Sequence, residues 1–257
     1  MGAGARETLN PSLHLLVLSD SALPLGSFAF SSGLESFLTH STPQKPSTTL
    51  LRRFLSLSLS SLSTTTLPFI TAAYNIPNLP THTTTYSAIS SILHLSDTFD
   101  ATTTCPVLRR ASTTQGKALL SVWEKSLRPP PQSMPPSLVD LPALITSYRH
   151  QSGNDNPPHL PIAWALISLS SNLTLHQTTF VFLLNHTKAL LSAAVRLNLI
   201  GPYVAQRILA APETLEVVQR AQETGLRVGV EEAGQTVPIL DLYQGRHELL
   251  YSRVFNS

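Results

Sequence analysis

Charge is scarce in this chain. Only 12% of its 257 residues are Asp, Glu, Lys or Arg, about half the usual share, and none occurs from Phe54 to Ser96. Ser, Thr, Asn and Gln must therefore cover most of the surface. Such a surface suits a protein that docks on partners, because little charge has to be desolvated. It equally suits a Ser/Thr bias without interface meaning, and composition alone leaves both open. The net charge of +2, with basic residues in isolated doublets (Arg52-Arg53, Arg109-Arg110), excludes a nucleic-acid binder. Cys105 is the single cysteine, which excludes an intramolecular disulfide and a cysteine-based zinc cluster. Flanked by Thr104 and Pro106, it reads as a small buried or semi-exposed residue. No run reaches the roughly 18 apolar residues of a membrane span, and the N-terminal apolar stretch lacks a cleavage site. Arg6 stands where N-myristoylation wants Ser or Thr. A soluble, cytoplasmic protein that binds neither membrane nor nucleic acid is the expectation.

The usual catalytic signatures are missing too. There is no G-x-S-x-G elbow, and Gly116-Lys117 is followed by Ala118 with Ala111 at the first glycine position, so a phosphate loop is excluded. No G-x-G-x-x-G stands between a strand and a helix. The nine histidines form neither H-E-x-x-H nor a close pair. Glu35, Asp97, Asp100, Glu124 and Asp241 are too scattered to nominate a carboxylate pair. No catalytic residue, metal ligand or cofactor of the chain's own is expected.

What is present is helical. Asn10-Pro11 opens a helix whose Leu13, Leu16 and Val17 share a face. Leu23-Pro24-Leu25-Gly26 fits a type I turn, and Ser32 with Glu35 has capping-box spacing before Phe37 and Leu38. The run LLRRFLSLSLSSLS alternates like a strand but keeps Leu51, Leu55, Leu59 and Leu62 at helical spacing. No hairpin partner follows it, so helix is preferred. Ala88–Phe99 and Pro106–Leu127 read as helices, joined to what precedes by a Pro/Thr-rich connection at 75–86. Residues 128–158 are proline-rich and read as an exposed insertion, holding at most a short helix at Leu141–Tyr148. The strongest amphipathic pattern spans Leu175–Leu197, with Phe180, Leu183, Leu184, Thr187, Leu190, Leu191 and Ala194 as its stripe. Further helices start at Pro202 and Pro212, the second closing near Gly225. The tail, 235–257, is too apolar for a disordered tag. The reading is one all-α domain, 1–257, of about eight to ten helices.

Five segments resemble, in order, those of the UreF family of urease accessory proteins. SALPLGSFAFSSGLE carries its N-terminal signature through Ser21, Leu23, Pro24, Gly26, Phe28, Phe30, Ser31, Gly33, Leu34 and Glu35. TTLPFITAAY is similar to a second piece. VLRRASTTQGKALL is similar to a third through Arg110, Ala111, Ser112, Gln115, Gly116, Leu119 and Leu120. AAVRLNLIGPYVAQ resembles the stretch after the family's long helix, and Gln244, His247, Ser252, Arg253, Phe255 and Ser257 match the C-terminus of eukaryotic members. His159-x-Pro161 matches a further element, without the glycine expected after it.

The resemblance implies an all-α homodimer that binds UreD (also called UreH), recruits the GTPase UreG and serves nickel delivery to apo-urease. Nickel and GTP would then be handled by partner proteins. It points to Pro24, Gly26, Phe28, Phe30, Gly33 and Glu35, together with His247, Tyr251, Arg253 and Phe255, as partner-binding residues. Arg253 would bridge backbone carbonyls and hold the tail docked. Arg110, Ser112, Gln115 and Gly116 would be structural, bonding across the helix core. Two other classes stay open. A helical enzyme would need a polar pocket with a hydrogen-bonded Ser–His pair, and a direct nickel carrier would need clustered ligands.

Overall fold

The structure is a computed structural model that describes residues 10–40, 47–79, 84–130, 139–153 and 156–256. The proline run at 131–138, part of the 75–86 connection and Ser257 lie outside these. Helices α1 (Pro11–Ser19), α2 (Leu34–His40), α3 (Thr48–Thr65) and α4 (Leu67–Asn75) are followed by α5 (Thr85–Thr102), α6 (Pro106–Val122) and α7 (Leu141–Gln151). The C-terminal half holds α8 (Leu160–Ser170), α9 (Leu175–Arg196), α10 (Pro202–Leu209), α11 (Pro212–Gly225) and α12 (Pro238–Arg246). Among the described residues no strand occurs, and the fold is all-α.

Local chemistry explains many of the boundaries. Asn10 accepts from the Ser12 and Leu13 amides, Ser47 from Leu50 and Asp140 from Ala143, each satisfying orphan donors of a first turn. Thr174 and Gln177 form a capping box at the start of α9. Proline stands in the first turn of α1, α4, α6, α7, α8, α10, α11 and α12, where its missing N–H costs nothing. The Leu/Ser run is helical, as α3, with Leu51, Leu55 and Leu59 buried.

At the centre lies α8, whose LPIAWALISLS buries nine of eleven residues. An apolar run without periodicity has no face to read, and this helix was not anticipated. It packs against α4, α6, α7 and α9, while α11 lies on α3 and α7 on α5. The proline-rich segment is corrected in the same way. Val139, Leu144, Ile145 and Tyr148 are core residues, so 139–151 is no exposed insertion. Its prolines gave a misleading impression because Pro142 sits in a first turn, where it promotes a helix rather than breaking one. On α1 the face carrying Leu13 and Leu16 is exposed, and Leu18 is the residue buried against α9.

Candidate functional site: a clasped C-terminal tail

The segment between α1 and α2 turns sharply. The Leu25 amide donates to Leu23 O at 2.7 Å, tighter than the expected type I turn, and Gly26 takes φ +71° as the chain enters a 3₁₀ turn, Ser27–Ala29. Phe28 is left 67% exposed beyond exposed Pro24, while Phe30 is half-buried. Gly33, at φ +85°, sits against α12, where a Cβ would lie 2.8 Å from Gln244 Cγ. The expected Ser32–Glu35 capping box does not form. Ser31 Oγ accepts from the Glu35 amide instead, and this frees the Glu35 carboxylate for another task.

That task is the tail. Glu35 is buried and accepts three hydrogen bonds: from His247 Nε2–H at 2.8 Å, Val254 N–H at 2.7 Å and Phe255 N–H at 3.2 Å. Asn256 N–H adds a fourth bond, to Ala29 O at 2.8 Å. Phe255 is only 4% exposed and lies under the Arg196 guanidinium, 4.3 Å from its ring centre. From α6, Arg110 reaches Glu248 at 2.6 Å, and this guanidinium holds the Glu248 carboxyl below the usual carboxylate range. Segments around residues 35, 110 and 196 therefore grip one short stretch, 247–256. Leu249, Tyr251, Arg253 and Val254 face outward along it.

The residues assigned to partner binding thus divide. Phe28, Tyr251 and Arg253 are exposed, whereas Glu35, His247 and Phe255 are internal and hold the tail in place. Among the described residues Arg253 bridges no backbone carbonyls; the Glu35 carboxylate takes that holding role from the opposite side, because it can accept several N–H groups at once. Arg196 and Glu248 were not singled out beforehand. Arg196 lies within a segment already recognised, but only the approach of Phe255 gives its position meaning.

A second polar cluster joins α5, α6, α7 and α8. His159 Nε2–H donates to Asp100 at 3.0 Å, and its Nδ1 accepts from Ser112 Oγ–H at 3.1 Å. Ser112 Oγ also accepts from Leu160 N–H at 3.2 Å, which caps α8 from a neighbouring helix. The His159 amide donates to Tyr148 Oη, which bonds Ser96 Oγ. Burial lowers the His159 pKa, opposed by Asp100. Gly116 lets the chain pass: a Cβ there would stand 2.2 Å from Pro158 O. Of the four residues assigned a structural role, Ser112 and Gly116 belong to this crossing. Arg110 serves the tail, and among the described residues Gln115 bonds its own helix, at Ala111 O.

Three Ser–His pairs are present among the described residues, and none is arranged for catalysis. Ser36 and His40 share one turn of α2, and the His40 Nδ1 that lies 3.2 Å from Ser36 Oγ donates to Ser36 O at 2.8 Å, so it is no base for that hydroxyl. Ser112 is occupied in capping α8. Ser58 bonds His186 Nε2 at 2.7 Å, but burial depresses the His186 pKa to about 4, so this imidazole is a poor proton acceptor at neutral pH. Among the described residues no three His, Cys, Asp or Glu side chains come together as a metal site, and no helix is long and apolar enough to cross a membrane.

Known proteins place these features in a family. The UreF family model matches residues 47–213. A urease accessory protein UreF-like protein of Schizosaccharomyces pombe is 37% identical, over 95% of this chain and 97% of its own length. Urease accessory protein 6 of Cryptococcus neoformans is 29% identical, covering 97% of this chain and 99% of its own. Urease accessory protein F of Oryza sativa subsp. japonica is 32% identical over 93% and 82% respectively. These relatives align across nearly the whole chain, while the family model begins after the segment that carries Glu35.

Proposed function

The chain belongs to the UreF family of urease accessory proteins, and from that premise we propose that it is a non-catalytic scaffold for nickel insertion into apo-urease. In this reading it binds UreD/UreH, recruits the GTPase UreG and works as a pair of copies. Nickel is cargo, and GTP is hydrolysed by the partner. The observation that carries the proposal is the grip of Glu35 on Val254 and Phe255. It converts a terminal tail, whose own conformational entropy would oppose docking, into a fixed ridge bearing Leu249, Tyr251, Arg253 and Val254. Exposed apolar and aromatic residues beside a single cation suit a protein interface. Phe28, held outward by the turn at Gly26, adds to that display. The uncovered Leu13 and Leu16 of α1 and Tyr203 of α10, helices that both pack on α9, support the pairing of copies.

The test is co-expression with UreD and UreG of the same source, followed by size-exclusion chromatography with light scattering. Co-elution with two copies of the chain is expected, and a Phe255→Ala chain should drop out of the complex. If the chain elutes alone even with GTP and nickel present, the scaffold reading is wrong. An enzymatic role finds less support, because the nucleophile candidates lack a competent base.

A further inference from the structure

A cavity of about 700 Å³ lies between the α1–α2 segment, α3, α6, α8, α9 and α12. Its size falls within the range of roughly 300–1,000 Å³ for small-molecule sites. Helix α9 gives it a gradient of polarity. Ser192 is exposed, Lys188 one turn before it is half-buried, and Phe182 is buried. Lys188 and Phe182 stand six residues apart, about 9 Å along the helix at roughly 1.5 Å per residue. Trp164 meets Phe182 edge-on at 5.9 Å, and Phe69 and Phe99, both buried, extend the apolar wall.

The ammonium on this wall has no counter-charge. The ion pairs of the described residues use Arg109, Arg110, Arg128, Arg149, His159 and His247, and Lys188 is in none of them. Its Nζ donates to Ser19 O and carries two further N–H groups. Two carboxylates share the wall, and neither meets it. Asp20 is exposed and accepts from the Ala22 amide, while Asp241 accepts from Gln235 Nε2. A cation partly withdrawn from water gains more from an anion than a fully solvated one does. An inorganic anion would answer the ammonium but leave the apolar wall unused, and a cationic amphiphile would bring a second charge of the same sign.

We propose that this cavity binds a monocarboxylate with an extended hydrocarbon body, its head at Lys188 and its chain running along α9 toward Phe182 and Trp164. The ammonium supplies a charge-assisted hydrogen bond to the carboxylate. Burial of the chain against the aromatic wall supplies the hydrophobic part of the affinity.

The experiment uses the full-length chain with decanoate and decylammonium, probes of nearly equal shape and opposite charge at about pH 7.5. Both are titrated calorimetrically below their micellar concentrations. Decanoate should saturate one site per chain, and decylammonium should bind at least about tenfold more weakly. Lys188→Met keeps the apolar stem and removes the charge, so it should weaken decanoate about tenfold while circular dichroism stays helical. Ala189→Phe, which fills the cavity between Lys188 and Phe182, should weaken it about tenfold or more and places the site inside the cavity. A decanoate affinity that both variants leave unchanged overturns the proposal. Should neither variant fold, the two probes on the unmodified chain still decide: equal binding of both, or no saturable binding of decanoate, overturns it.

Discussion

Asp100 with His159 and Glu35 with His247 are the same chemical pair set in two parts of the molecule. The first joins four helices, and both nitrogens of its imidazole are bonded. Around it the packing is closed, with Gly116 against the Pro158 carbonyl and Phe99 edge-on to the His159 ring at 4.9 Å. The second pair joins a helix to a tail, and His247 Nδ1 has no partner. The Glu35 carboxylate spends its remaining capacity on two backbone amides of a stretch that has little packing of its own. One carboxylate–imidazole pair therefore holds the core, and the other holds something that could otherwise leave. The core pair should govern global stability and the tail pair should govern what the surface displays.

Gly116→Ala presses hardest on that distinction. The added methyl has no room beside Pro158 O, so α6 and α8 must separate, at a cost of about 3 kcal/mol or more in denaturant unfolding. A variant as stable as the parent would mean that the crossing is loose. Acidification comes next and again acts on the core. Burial pushes His186 from 6.5 to about 4 and lowers His159 as well, so the unfolded chain binds these protons more readily than the folded one. Stability is therefore full above about pH 6.5 and falls as pH drops from 6.5 toward 4, by at most about 1.4 kcal/mol per pH unit for each histidine. His186→Gln should flatten that slope, and an unchanged slope would remove His186 from the account.

The tail variants should have smaller effects on stability and larger ones on display. Glu35→Gln keeps shape but removes charge from three hydrogen bonds. Hydrogen exchange at the Val254 and Phe255 amides should accelerate about tenfold, equivalent to about 1.4 kcal/mol, with little change in core amides. Uniform acceleration throughout the chain would show that the two regions are not separate. Arg253→Ala should change unfolding by less than about 0.5 kcal/mol, since the residue is exposed. It should nevertheless weaken capture of UreD or UreG in a pull-down. Equal capture would place the docking surface elsewhere.

Much of this was legible in the chain itself. The Asn10 cap and prolines at first turns are local devices, and they set helix boundaries without reference to distant residues. The amphipathic stripe of α9 was readable for the same reason, although Phe180 and Leu184 proved half-buried while Val181 and Phe182 lie in the core. The motifs around residues 21–35, 106–120, 193–206 and 244–257 were recognisable as pieces, but their joint purpose was not. Glu35 is 212 positions from His247, and no periodicity links residues so far apart. The all-α class and the helix starts were fixed by amino-acid order, because hydrogen bonding within a turn spans only a few residues. Tertiary structure alone decided that α7 and α8 are interior, that Glu35 and Phe255 hold a tail rather than face a partner, and which serines meet histidines. Those outcomes depend on which surfaces are brought together and dried, and that is a property of the packed whole.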